Sequence, residues 1–143
     1  MKFTVITDCD REEEIVIYAH QKSKLIDEIE SLVKGKSEML NGYLRGEIVK
    51  LDPRDVFCFT VEDGKVYAVC ENEKYLLKIR IYQLQEMLDE NFIKINQSSI
   101  ANIKRIKKFD ASVYGTLKVI FKNGYVDYVS RRNIKTVKER LGL

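Results

Sequence analysis

The chain has 143 residues, of which 45% are apolar, 33% are charged and one is proline. This composition describes a folded domain and excludes disordered and disulfide-framework classes. The net charge of +3 is unevenly spread: residues 94–143 hold twelve Lys or Arg against three acids, a local +9, so residues 1–93 carry −6.

A basic half following an acidic half is the footprint of a polyanion binder. No apolar stretch approaches the ~20 residues that cross a bilayer. The N-terminus (MKFTVITDCDREEE) turns acidic where a signal peptide would need its apolar run. A cytoplasmic protein without membrane insertion is expected. Cys9, Cys58 and Cys70 are odd in number and far apart, which suits reduced, mostly buried thiols.

In chain order, residues 2–7 (KFTVIT) and 14–20 (EIVIYAH) alternate polar and apolar and predict two half-buried strands. Over residues 23–34 the period changes. Leu25, Ile26, Ile29, Leu32 and Val33 share one helical face, with Ser23 as N-cap and Gly35 as the C′ residue. Gly35, Gly42 and Gly46 then mark a boundary, giving an N-terminal region (1–45), a place for dimerisation or regulation, and a second domain (46–143).

Strands are predicted at 47–51, 56–61, 65–70 and 75–79, with Asp63-Gly64 signalling a hairpin. A short helix follows at 81–90, then a strand at 92–95 and a polar patch at 96–99. Strands continue through IANIKRIKKF, TLKVIF and YVDYVS, the last two joined by a second hairpin signal, Asn123-Gly124. A helix over 133–141 closes the chain. Phe109, Tyr114 and Tyr125 are read as core or strand residues.

Enzyme readings find little support. His20 is the only histidine, and no Ser-His-Asp, Cys-His or CxxC arrangement can be assembled around it. Neither GxGxxG nor a P-loop occurs. Acidic pairs such as Asp27-Glu28 and Asp89-Glu90 read as solvated charge. No cofactor and no small-molecule substrate is expected.

Two polar-basic segments carry the functional reading: Lys94 to Asn102, and Ser130-Arg131-Arg132-Asn133. Each follows a predicted strand, where side chains can leave a sheet. Arg pairs bidentately with guanine, Gln or Asn with adenine, while Lys, Ser and backbone amides hold phosphates. Asn102 is assigned a structural role, satisfying backbone groups in a turn. An RNA-binding β module is disfavoured, because the closely spaced aromatics of an RRM and a GXXG loop are missing.

The order of these features resembles the LytTR-type DNA-binding domain. Three marks carry the likeness. The first is the F-[IV]-[KR]-[IV] strand leading through a Ser-containing turn to a hydrophobic-Asn-hydrophobic step, Phe92 to Ile103. The others are the late Asn123-Gly124 hairpin and the pair Ser130-Arg131 before the final helix. The likeness spans about residues 46–143. The N-terminal extension is similar to that of short LytTR regulators, which carry a small strand-and-helix preface instead of a phospho-receiver domain.

The resemblance implies a mainly β (β-rich α+β) fold of antiparallel strands with short helices. It implies binding of double-stranded DNA through loops, as a transcription regulator. Carried over by position, the contacts are Lys65; Asn96, Gln97 and Ser98; and Arg132 with Arg131 beside it. Gln97 stands where the family often has Lys, His or Asn, so the base it reads cannot be copied from a relative. Lys94, Lys104, Arg105, Lys107 and Lys108 are the expected phosphate contacts. A homodimer on paired sites is expected, since one small domain offers limited interface. The competing expectation is a protein-interaction module that modulates another regulator through its acidic N-terminal part.

Overall fold

A computed structural model describes residues 2–34 and 38–143 and divides the chain into two compact units, residues 1–35 and 36–143. In the first unit, helix α1 (Lys24–Lys34) forms where the period predicted it. Ser23 starts it: its carbonyl accepts the Asp27 N–H at 3.1 Å and its Oγ the Ile26 N–H at 3.4 Å. Lys22 reaches Asp27 and Glu30, each at 3.2 Å. Gly35 lies outside the described residues.

The strands expected at 2–7 and 14–20 do not form; these stretches carry no ladder, and Phe3, Val5, Ile6, Ile15, Val16 and Tyr18 are exposed. Alternation marks which side of a strand is apolar, but a strand also needs a neighbour to receive its backbone groups. Of the apolar stripe of α1, Ile26 and Ile29 are half-buried while Leu25, Leu32 and Val33 are exposed.

The second unit holds ten strands: β1 (Leu40–Leu44), β2 (Glu47–Leu51), β3 (Cys58–Glu62), β4 (Lys65–Val69), β5 (Lys74–Leu77), β6 (Phe92–Asn96), β7 (Ser99–Asn102), β8 (Ile106–Asp110), β9 (Leu117–Phe121) and β10 (Val126–Val129). Helix α2 (Ile81–Met87) follows β5, and α3 (Arg131–Leu141) closes the chain. The first seven strands make one antiparallel sheet, ordered β2-β1-β5-β4-β3-β7-β6; the last three make a second, β10-β9-β8. The fold is therefore mainly β with short helices.

The compact unit begins ahead of the expected boundary at 45/46, which falls inside the β1–β2 hairpin. Arg45 and Gly46 both have positive φ there (48° and 79°), the signature of a type I′ two-residue turn. Gly42 is a packing glycine rather than a linker: a Cβ would stand 2.6 Å from Leu51 Cδ1 and 2.9 Å from Tyr75 Cβ. Asp63 and Gly64 (φ 50° and 73°) form the second type I′ turn, as their sequence predicts. The Asn123-Gly124 hairpin forms with a three-residue loop, in which the Gly124 N–H donates to Phe121 and only Gly124 has positive φ.

The part of the large sheet built from β4, β3, β7 and β6 is buried on both faces. One face supplies Cys58, Ile93, Ile95 and Ala101 to a core completed by Phe57 just ahead of β3, by Leu117, Val119, Phe121 and Val129 of the small sheet and by Val137 of α3. The other supplies Phe59, Val66, Ala68, Leu77, Phe92 and Ile100 to a core closed by Leu84 of α2. Double burial explains why VFCF and YAVC read as unbroken apolar runs rather than alternation.

Burial pushes the Cys70 thiol up to about 11 and the Tyr125 phenol up to about 12, and moves Cys58 in the same direction. The folded state thus holds these protons more tightly than the unfolded chain. Their contribution is complete below about pH 9 and is lost as pH rises through the folded values. The urea midpoint is expected to be lower at about pH 10.5 than at about pH 7.5. An equal midpoint would show that these groups are solvated.

Candidate nucleic-acid interface

Two chain reversals and the start of α3 gather at one end of the large sheet. β6 and β7 are joined by Gln97 and Ser98 alone, with Asn96 opposite Ser99. The Ser98 carbonyl accepts the Val61 N–H at 2.8 Å, which ties this turn to the end of β3. There the Asp63-Gly64 turn carries the chain from Glu62 to Lys65, its partner across the hairpin. The Ser130 N–H donates to Ile95 at 2.9 Å, which ties the start of α3 to the end of β6. Lys65, Gln97, Ser98, Arg131 and Arg132 are all exposed in this cluster.

The two arginines stand in the first turn of α3, not in the segment ahead of the helix, because Ser130 is the N-cap residue. Its Oγ accepts from Asn133 Nδ2 at 3.0 Å. Cations at a helix N-terminus oppose the helix dipole, and among the described residues neither arginine forms an ion pair. Neither makes a side-chain hydrogen bond among the described residues.

Asn96 is half-buried, and both its amide protons and its oxygen are engaged within the chain. Nδ2 donates to Asp127 Oδ1 at 3.1 Å and to the Tyr128 carbonyl at 2.8 Å, while Oδ1 accepts the Ser98 N–H at 2.9 Å. Asn96 shapes the turn that presents Gln97 and Ser98.

The other basic candidates lie elsewhere. Lys104 and Arg105 follow β7 in a short 3-10 turn (Ile103–Arg105), at the end of that strand away from Ser99. Arg105 donates to the Arg54 carbonyl at 3.2 Å and to Asp55 at 3.3 Å, with its guanidinium 5.3 Å from the Phe57 ring centroid. The Lys104 carbonyl accepts from Lys122 Nζ at 3.0 Å. Lys94 is half-buried in mid-β6, in a recess with Asp89, Glu90 and Arg140. Lys107 and Lys108 are exposed on β8, an outer strand of the small sheet.

Asn102 is structural, as its sequence context suggests. It is 2% exposed, donates to Val56 at 2.8 Å and Arg54 at 3.3 Å, and accepts from Lys104 at 3.1 Å. Tyr114 differs from its expected place in core or strand: it is fully exposed in the loop between β8 and β9. That loop precedes Leu117, which pairs with Val129 next to Ser130, so it shares the end of the small sheet from which α3 starts. Phe109 and Tyr125 are half-buried against the core. Asp8, Cys9 and Asp10 lie close enough to share an ion, but all are exposed and nothing sets them apart from ordinary surface acids. No described helix is long and apolar enough to cross a membrane.

The family model described as "LytTr DNA-binding domain" matches residues 46–142. The chain is 34% identical over 125 residues to proteins described as "Uncharacterized HTH-type transcriptional regulator" in Staphylococcus aureus strains NCTC 8325 / PS 47 and MRSA252, covering 84% of this chain and 85% of each relative. Among the described residues no two helices are consecutive: five strands separate α1 from α2, and five more separate α2 from α3. A LytTr DNA-binding domain from Bacillus cereus superposes with a TM-score of 0.69 at 20% identity, over 73% of this chain and 97% of that one. The match covers well over half of the chain and the mainly β fold agrees with it: the chain belongs to the LytTR DNA-binding domain family.

Proposed function

We propose that this protein is a sequence-specific transcription regulator that reads double-stranded DNA through the loop cluster at the end of its large sheet. The reading rests on Arg131 and Arg132. They are held at a helix N-terminus where they weaken the helix, exposed and unpaired among the described residues, beside the Gln97-Ser98 turn. Gln97 and Arg132 discriminate bases; Lys65, Ser98 and Arg131 hold phosphates. Asn96 acts by shaping the turn. Of the wider basic set, Lys107 and Lys108 remain free to meet flanking phosphates, whereas Arg105 is committed to Arg54, Asp55 and Phe57.

Gel-shift titration against the protein's own promoter at several salt concentrations tests this reading. Tighter binding there than to random duplex is expected, with affinity falling steeply as salt rises. Equal affinity for both duplexes removes sequence specificity, and no binding at low salt removes the DNA reading. In the same titrations, Lys65→Ala is expected to reduce the log–log salt slope by about one, and Lys104→Ala to leave it unchanged.

A homodimer on paired half-sites follows from the small reading surface of one domain. The N-terminal unit, with its exposed Phe3, Val5, Ile15 and Leu32, is the surface for self-association. Light scattering of the full chain with and without a two-site duplex checks this; a monomer in both conditions contradicts it. The same exposed residues also suit a protein-interaction module acting on another regulator, and a hetero-partner with no DNA binding would favour that reading.

A further inference from the structure

We propose that Asp127 is a positioning residue for DNA recognition, holding both ends of the Gln97-Ser98 turn with one carboxylate; this rests on that turn being a reading loop. Asp127 lies on β10 in the small sheet, whereas the turn belongs to the large one. Its Oδ1 accepts from Asn96 Nδ2 at 3.1 Å and from the Tyr128 N–H at 2.8 Å. Its Oδ2 accepts from Ser99 Oγ at 2.7 Å. Asn96 and Ser99 are the residues immediately before and after the turn.

Proton accounting gives the network a direction. A carboxylate only accepts, so the Ser99 hydroxyl donates to Asp127. The 3.1 Å contact between Thr60 Oγ1 and Ser99 Oγ must then run from Thr60 to Ser99. Both Asn96 amide protons are likewise used, one on Asp127 and one on the Tyr128 carbonyl, which orients Asn96 Oδ1 toward the Ser98 N–H. Asp127 therefore orders the turn twice, through Asn96 to the Ser98 amide and through Ser99 to the root of β7.

Its charge is out of keeping with its surroundings. Asp127 is one of only three acids in residues 94–143. No Lys or Arg pairs with it among the described residues, although the chain around it is strongly basic. A carboxylate behind a phosphate-facing turn weakens binding to any DNA by repulsion. Its placement makes sense if the shape of the turn matters more than that loss.

The test uses the full chain, one duplex selected from a random pool and one scrambled duplex, with thermal unfolding followed in parallel. For Asp127→Ala we expect the ratio of the two dissociation constants to fall roughly tenfold, as for loss of a hydrogen-bonded charged group. Asp127→Asn should keep the ratio, because its Oδ1 retains both bonds and its Nδ2 can donate to Ser99. It should also tighten binding to both duplexes by a similar factor, since a negative charge is gone. A role confined to stability would move the melting temperature and leave the ratio alone.

A folded Asp127→Ala variant with the parental ratio overturns the proposal, as does Asp127→Asn losing as much discrimination as alanine. If Asp127→Ala does not fold, Ser99→Ala replaces it: a reduced ratio supports the proposal and a parental ratio overturns it. Gln97→Ala separates the two levels of the argument. If it leaves the ratio unchanged, the reading loop and this inference fall together. If it lowers the ratio while Asp127→Ala does not, only this inference falls.

Discussion

Replacing Asn102 by alanine is expected to destabilise the fold by about 2–4 kcal/mol, the range for stripping hydrogen bonds from several buried backbone groups. The side chain binds the Val56 and Arg54 carbonyls and the Lys104 N–H, and the Asn102 N–H donates to the Phe57 carbonyl at 2.9 Å. One residue thereby joins the end of β7, the chain entering β3 and the turn into β8. Alanine leaves the Val56 carbonyl and the Lys104 amide without these partners; the Arg54 carbonyl keeps the Arg105 guanidinium, which limits the loss. The urea midpoint should fall with an unchanged m-value, because the surface exposed on unfolding is the same. A loss under about 0.5 kcal/mol, the scale of an ordinary surface substitution, would mean that water replaces the amide.

Arg132→Ala is expected to separate binding from stability. Loss of a bidentate base contact lowers specific affinity by about 1–3 kcal/mol, roughly five- to 150-fold, and non-specific affinity by much less. The same change removes a cation from the positive end of α3, so the fold should gain a few tenths of a kcal/mol. Fluorescence anisotropy on the selected and scrambled duplexes, with urea unfolding of the same sample, reads both. Equal losses on the two duplexes would make Arg132 a phosphate contact. A clear drop in stability would give it a packing role instead.

These two residues differ in how legible they were. Asn102 stood in a hydrophobic-Asn-hydrophobic step before a turn, where Asn usually serves the backbone, and it does so here. Arg132 was marked by its residue type and its place after a strand, but its position inside the first turn of α3 depends on Ser130 bonding to Ile95, a contact between residues 35 apart in sequence.

Local chemistry alone decided the elements whose physics is local. Helix α1 follows from a 3.6-residue apolar period and a serine cap, and the Asp63-Gly64 reversal follows from residues that tolerate positive φ. The same holds for the paired apolar runs of β3 and β4. The Arg45-Gly46 turn was missed because arginine carries no turn signal, and the N-terminal strands failed because alternation does not supply a partner strand. The family likeness was also legible, since the Phe92 to Ile103 signature keeps its order in the chain.

Facing and proximity were decided only by the tertiary structure. A charge of +9 over the last fifty residues has no direction until strands are ordered. That order gathers Lys65, Gln97, Arg131 and Arg132 at one end and leaves Lys104 and Arg105 at the other end of β7. Asp127 read as one acid among many basic residues. Only the meeting of the two sheets brings its carboxylate to Asn96 and Ser99, because hydrogen bonds act over about 3 Å in space and take no account of sequence separation.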